Sequence, residues 1–161
     1  MDTDTIITTL KELIYLFSVF GFFLTFVLVR GRQALINLIF GLYFALLISI
    51  EFPYYDAVLA SAGGAHGTAI AKLIIFFIFT VLATILVARV MPDPFREKKF
   101  ESFFKKILLA LAATILIMVY SFHVLPVTEF LTPGTPIQSL FAPAQVFFWW
   151  LLAPFVVLWL N

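Results

Sequence analysis

Apolar residues run along this chain in blocks too long to be single faces of a water-soluble fold. The first block covers residues 13–29, and Ile6 and Ile7 ahead of it let the helix begin near residue 8 or earlier, with Asp4 or Thr5 as its cap. It ends at Arg30-Gly31-Arg32, and a second block, residues 34–50, follows almost at once, so the two predict a tight antiparallel hairpin. Glu51, Pro53 and Asp56 close the second block, and Ser61-Ala62-Gly63-Gly64 marks a flexible loop. The third block, 69–88, is interrupted only by Lys72 and stopped by Pro92 and Pro94; the fourth, 107–125, is stopped by Pro126. After a stretch with Pro133, Gly134 and Pro136 comes an uncharged block, 140–160. A hydrocarbon core about 30 Å thick takes ~20 apolar residues to cross as a helix. The pattern therefore predicts an all-α integral membrane bundle of four to five transmembrane helices. It forms one membrane domain over residues 1–161, with spans near 8–29, 34–50, 69–88, 107–125 and 140–160.

Two stretches have two readings each. The last block is long enough for a fifth span. However, Trp149 and Trp150 lie mid-block, Pro154 is expected to break it in two, Pro143 sits near its start, and no Lys or Arg anchors its far end. These features suit a re-entrant or interfacial hairpin. In residues 95–106, Phe100, Phe103, Phe104 and Ile107 recur at helical spacing among Lys98, Lys99, Lys105 and Lys106. That is either a short amphipathic helix on the cytoplasmic membrane surface or an extension of the fourth helix; both put the lysines against anionic lipid headgroups.

Charge orients the bundle. The first turn carries Arg30 and Arg32, and residues 89–106 carry six basic against three acidic side chains. The alternate segments are acidic: Asp2, Asp4 and Glu12 against Lys11, then Glu51 and Asp56, then Glu129. The positive-inside rule places the N-terminus outside and both basic turns in the cytoplasm. The chain opens with acids rather than a basic region, unlike a cleavable signal peptide. A net charge of +1 lacks the concentrated Lys and Arg that nucleic acid requires, and the absence of cysteine excludes disulfide and thiolate chemistry.

Candidate chemistry is sparse. Lys72, read as lying near the outer start of the third helix, is expected to snorkel or to pair with Glu51 or Asp56; a substrate or ion site is the sharper alternative. Lys11 and Glu12 point in different directions and mark a water boundary. Asn37 is expected to bond across to a neighbouring helix. His66 and His123 have no carboxylates at ligand spacing, so no metal site is assigned. No catalytic motif or cofactor fingerprint is present, and no enzyme activity is expected. Gly41-x-x-x-Ala45 is a small-xxx-small pattern, with Gly21, Ala83 and Ala88 as further points of close helix approach.

The turn Arg30-Gly31, followed by Gln33-Ala34-Leu35-Ile36-Asn37-Leu38 opening the second helix, resembles the colicin V production protein family of small bacterial inner-membrane proteins. So does the layout of a third helix, a charged cytoplasmic segment and a fourth helix over residues 96–125. The likeness covers roughly residues 10–130. Gln33 stands where many members carry an acid, the entry to the fourth helix is Phe- and Lys-rich rather than Gly-rich, and the last block is more apolar than the family's tail. The resemblance implies the bacterial inner membrane and a link to peptide-toxin export or envelope homeostasis. Two functions compete: a non-enzymatic scaffold or accessory subunit, in a homo-oligomer or a larger membrane complex, and a small channel or transporter subunit.

Overall fold

The computed structural model describes residues 3–60, 63–91, 102–124 and 136–160. Every element among them is α-helical: α1 (Thr3–Arg30), α2 (Arg32–Ile50), α3 (Tyr55–Leu59), α4 (Gly64–Val90), α5 (Ser102–His123), α6 (Pro136–Phe141) and α7 (Ala144–Leu160). The chain folds as an all-α bundle in which α1, α2, α4 and α5 are long and apolar enough to cross a membrane.

The helix ends have local causes. Only Gly31 separates α1 from α2, and it sits at φ 88° and ψ 170°, a region open essentially to glycine alone. Its N–H still closes the last turn of α1 on the Val27 carbonyl. A Cβ at Gly31 would meet nothing within 4 Å, so conformation rather than space calls for glycine there. At the end of α4, Met91 turns extended, at φ −104° and ψ 91°, because Pro92 disfavours the α region for the residue before it.

Several boundaries differ from those the apolar blocks suggest. α1 is already helical at Thr3, ahead of the expected caps. α4 starts at Gly64 rather than residue 69, with the Thr68 hydroxyl donating back to the Gly64 carbonyl. Part of the expected loop after Glu51 is instead the short helix α3. Residues 102–106 are the opening turn of α5, while 92–101, including Lys98 and Lys99, lie outside the described residues, as do Glu129 and the rest of 125–135.

In the last block the break falls elsewhere than expected. The helix breaks at Ala142-Pro143, between α6 and α7, and not at Pro154. Pro143 removes a donor and pushes Ala142 out of the α region. Pro154 lies buried inside α7, which runs on through it. Its lost hydrogen bond is tolerated where neighbouring helices pack around the turn. α7 is therefore a single helix, not a hairpin, and its 17 residues span about 25 Å.

Successive long helices alternate in direction, so Arg30, Arg32, Arg89, Lys105 and Lys106 share one end of the bundle, here called the basic end. α5 is the hub, packing on α1, α2, α6 and α7, while α4 packs chiefly along the other side of α2. Leu109, Ala112, Ala113, Leu116 and Val119 of α5 are fully buried. Lipid is as apolar as leucine, so bundling gains little from hydrophobicity, and close approach at small residues decides which faces meet. At the α2–α4 contact, a Cβ on Gly41 would clash with the Thr84 side chain and lie 3.0 Å from its Cα. Ala45 and Ala83 are buried along the same helices. The buried threonines satisfy their hydroxyls within their own helix, Thr80 on the Phe76 carbonyl and Thr114 on the Ala110 carbonyl.

Candidate functional site

The polar groups gather at the end opposite the basic one. There the last turn of α2, the short α3, the third turn of α4 and the exit of α5 enclose a pocket of about 220 Å3. Ser49, Tyr55, Asp56, Lys72 and Val124 line it. Ser49 and Tyr55 share a hydroxyl–hydroxyl hydrogen bond of 2.6 Å, which pins α3 to α2. Because α4 begins at Gly64, Lys72 sits about 12 Å along that helix rather than at its mouth. It is half-buried, while Asp56 is exposed. The two line one pocket, yet among the described residues neither Asp56 nor Glu51 forms an ion pair with Lys72. Glu51 is exposed at the C-terminus of α2, its N–H on the Leu47 carbonyl, and lies off the pocket wall. At roughly 30 Å3 per water, the pocket has room for a small polar solute or a headgroup fragment. It offers a cation, a carboxylate and two hydroxyls, without a nucleophile and base in contact.

The remaining sequence candidates are scattered. Arg30 is exposed in the last turn of α1, and Gly31 is the hairpin hinge. Asn37 is buried, but it accepts from the Gln33 amide at 3.1 Å on its own helix instead of bonding across, since Gln33 lies one turn earlier on the same face. Gly41 belongs to the α2–α4 contact. His123 Nε2 lies 2.8 Å from the Phe141 carbonyl and its ring packs on Phe147, so it ties α5 to the α6–α7 corner. Among the described residues no group of three His, Cys, Asp or Glu is placed to hold a metal.

Three polar features escape the linear reading. Glu12 is not at a water boundary: it is only 2% exposed, and both carboxylate oxygens are buried without a hydrogen-bond partner. The signal for this is helical register, because Glu12 shares a face with Leu16, Val19, Phe23 and Val27, which pack in or against the core. Lys11, its neighbour, is exposed. Near Glu12, the Tyr15 hydroxyl bonds Ser121 Oγ at 2.9 Å and links α1 to α5. On the far side of the bundle the Tyr43 hydroxyl donates to the Leu151 carbonyl at 2.5 Å, and its ring stacks on Phe155. Tyr43 thereby fastens α7 to α2 in the turn that Pro154 loosens.

No family model matches this chain, and no curated protein and no solved structure matches it.

Proposed function

We propose that this small membrane protein is a non-enzymatic scaffold or accessory subunit of a bacterial envelope or peptide-export system. In this reading it sits in the inner membrane with the N-terminus outside and the basic end in the cytoplasm. The observation that carries the scaffold reading is the packed centre. The side chains of α5 that face α1, α2 and α7 are mostly apolar and closed to solvent, the buried Thr114 and Ser121 hydroxyls are spent on carbonyls of their own helix and on Tyr15, and the polar pocket at Lys72 lies at one end. A solid centre leaves the outward faces as the working surfaces, chiefly those of α1 and α4. The Arg30-Gly31 hairpin supports a place in the colicin V production family, and Gly31's backbone gives that turn a conformational reason to keep its glycine. The chain has no cysteine, so single cysteines at Phe17 and Leu82 test the reading cleanly. Disulfide cross-linking in native membranes should join copies, or a copy and a partner, at one of these faces. A chain that stays monomeric and uncross-linked in membranes and in mild detergent contradicts the reading.

The pocket around Lys72 favours a second reading, a small channel or transporter subunit. Solute or ion flux into proteoliposomes that exceeds that of empty vesicles and falls in Lys72→Ala would support it. Absence of flux in the wild type removes it.

A further inference from the structure

A lateral groove of about 560 Å3 opens between α1 and α4. Phe22 and Phe26 form one wall, Leu73 and Phe77 the other, with Leu42 of α2 and Ile117 of α5 between them. We propose that this groove binds one acyl chain of an anionic phospholipid, whose phosphate sits at Arg30.

The volume fits a single acyl chain. A methylene group takes about the space of a water molecule, roughly 30 Å3, so the groove accommodates roughly twenty carbons. The lining excludes a polar solute. Thr80 is its one hydroxyl-bearing residue, and that hydroxyl is already spent on the Phe76 carbonyl. The depth also suits a lipid tail. The lining of α4 runs from Ile70 to Val81, about 16 Å through the middle of the span, and phenylalanines on both sides supply dispersion contacts that hold a chain in place.

Charge sets which end receives the headgroup. Phe22, Phe26 and Arg30 recur every four residues, so the aromatic wall leads along one face of α1 to an exposed guanidinium at the basic end. Guanidinium and phosphate form charge-assisted, bidentate bonds. At the groove's other end, Lys72 lines the separate polar pocket beside Asp56 and is not part of the groove wall.

The test uses the full chain in phosphatidylcholine liposomes doped with phosphatidylglycerol that carries a diazirine in mid-chain. The expected result is one label per chain, on peptides containing Phe22, Phe26 or Phe77. Labelling should fall about tenfold in Leu73→Trp, which fills the groove, and stay unchanged in Leu82→Trp, on the outward face of α4. Arg30→Gln should abolish the preference for phosphatidylglycerol over a phosphatidylcholine probe while leaving chain labelling in place. Label spread evenly over the outward faces overturns the proposal, and this wild-type map decides even if Leu73→Trp fails to fold. Insensitivity to Leu73→Trp in a folded protein, or cross-links between two copies across the groove, would also overturn it. An unchanged lipid preference in Arg30→Gln overturns the headgroup assignment.

Discussion

α4 and α5 are both long apolar helices, and their fates are opposite. α4 is the most hydropathic of the four spans, yet only 22% of its most apolar stretch is buried; α5 is among the least hydropathic, and 50% of its stretch is buried. In water the order would be reversed. In a bilayer, the branched and aromatic side chains of α4, such as Ile78, Leu82, Ile85 and Leu86, are as well solvated by lipid as by protein. The side chains of α5 that lie at the centre include Ala110, Ala112, Ala113, Thr114 and Ser121, small enough for neighbouring backbones to approach. α4 follows the same rule where it does pack, at Thr80, Ala83 and Thr84 against the Gly41 face of α2.

Close approach of α2 and α4 hangs most directly on Gly41. Gly41→Leu drives a side chain into the Thr84 backbone and should destabilise the bundle by about 3 kcal/mol, seen as a lower Tm in detergent. The contrast between the helices is sharpened by a pair of substitutions. Ala113→Leu, which adds volume to α5, should cost about 2 kcal/mol. Leu82→Ala, which removes volume from α4, should change stability by no more than about 0.5 kcal/mol. A large loss from Leu82→Ala would mean that this face is packed after all.

Polar groups give the smaller effects. Glu12 lies buried without a partner on the α1 face that meets the core, so Glu12→Gln should raise stability by about 1 kcal/mol in denaturant titration. A loss would show that the carboxylate is paired in the folded protein. Tyr43→Phe removes the bond from α2 to the Leu151 carbonyl and should cost about 0.6 kcal/mol, the usual scale for a hydrogen bond between helices in lipid. Its clearest sign is faster proteolysis of α7 at unchanged secondary structure.

The existence and order of the long helices were legible because block length alone decides whether a segment crosses a membrane. The Gly31 hinge and the small-residue pattern at Gly41 were also open to reading, since each is set by one local steric demand. Burial was not. Hydropathy does not separate a lipid-facing leucine from a buried one, so α4 and α5 look alike along the chain. Glu12 does not read as a buried acid along the chain, because its proximity to the N-terminus hides its register with Leu16, Val19 and Phe23. The break at Pro143 is local, but α7 continues through Pro154 because neighbouring helices pack around that turn, and the corner of Phe141, Trp150 and Leu140 joins α6 to α7. There the Trp150 indole donates to the Leu140 carbonyl at 3.0 Å, a tertiary contact that no local pattern announces. The pocket joining Asp56 to Lys72 likewise depends on α3, a five-residue helix hidden in what reads as loop.

The most direct test of this account is a nitroxide scan of single cysteines along α4 and α5 in excess lipid, reading collision with dissolved oxygen. Positions 109, 112, 113 and 116 of α5 should be shielded, and 78, 82 and 86 of α4 should be as accessible as lipid itself. Shielded positions on the outward face of α4 and accessible ones at the centre of α5 would contradict it.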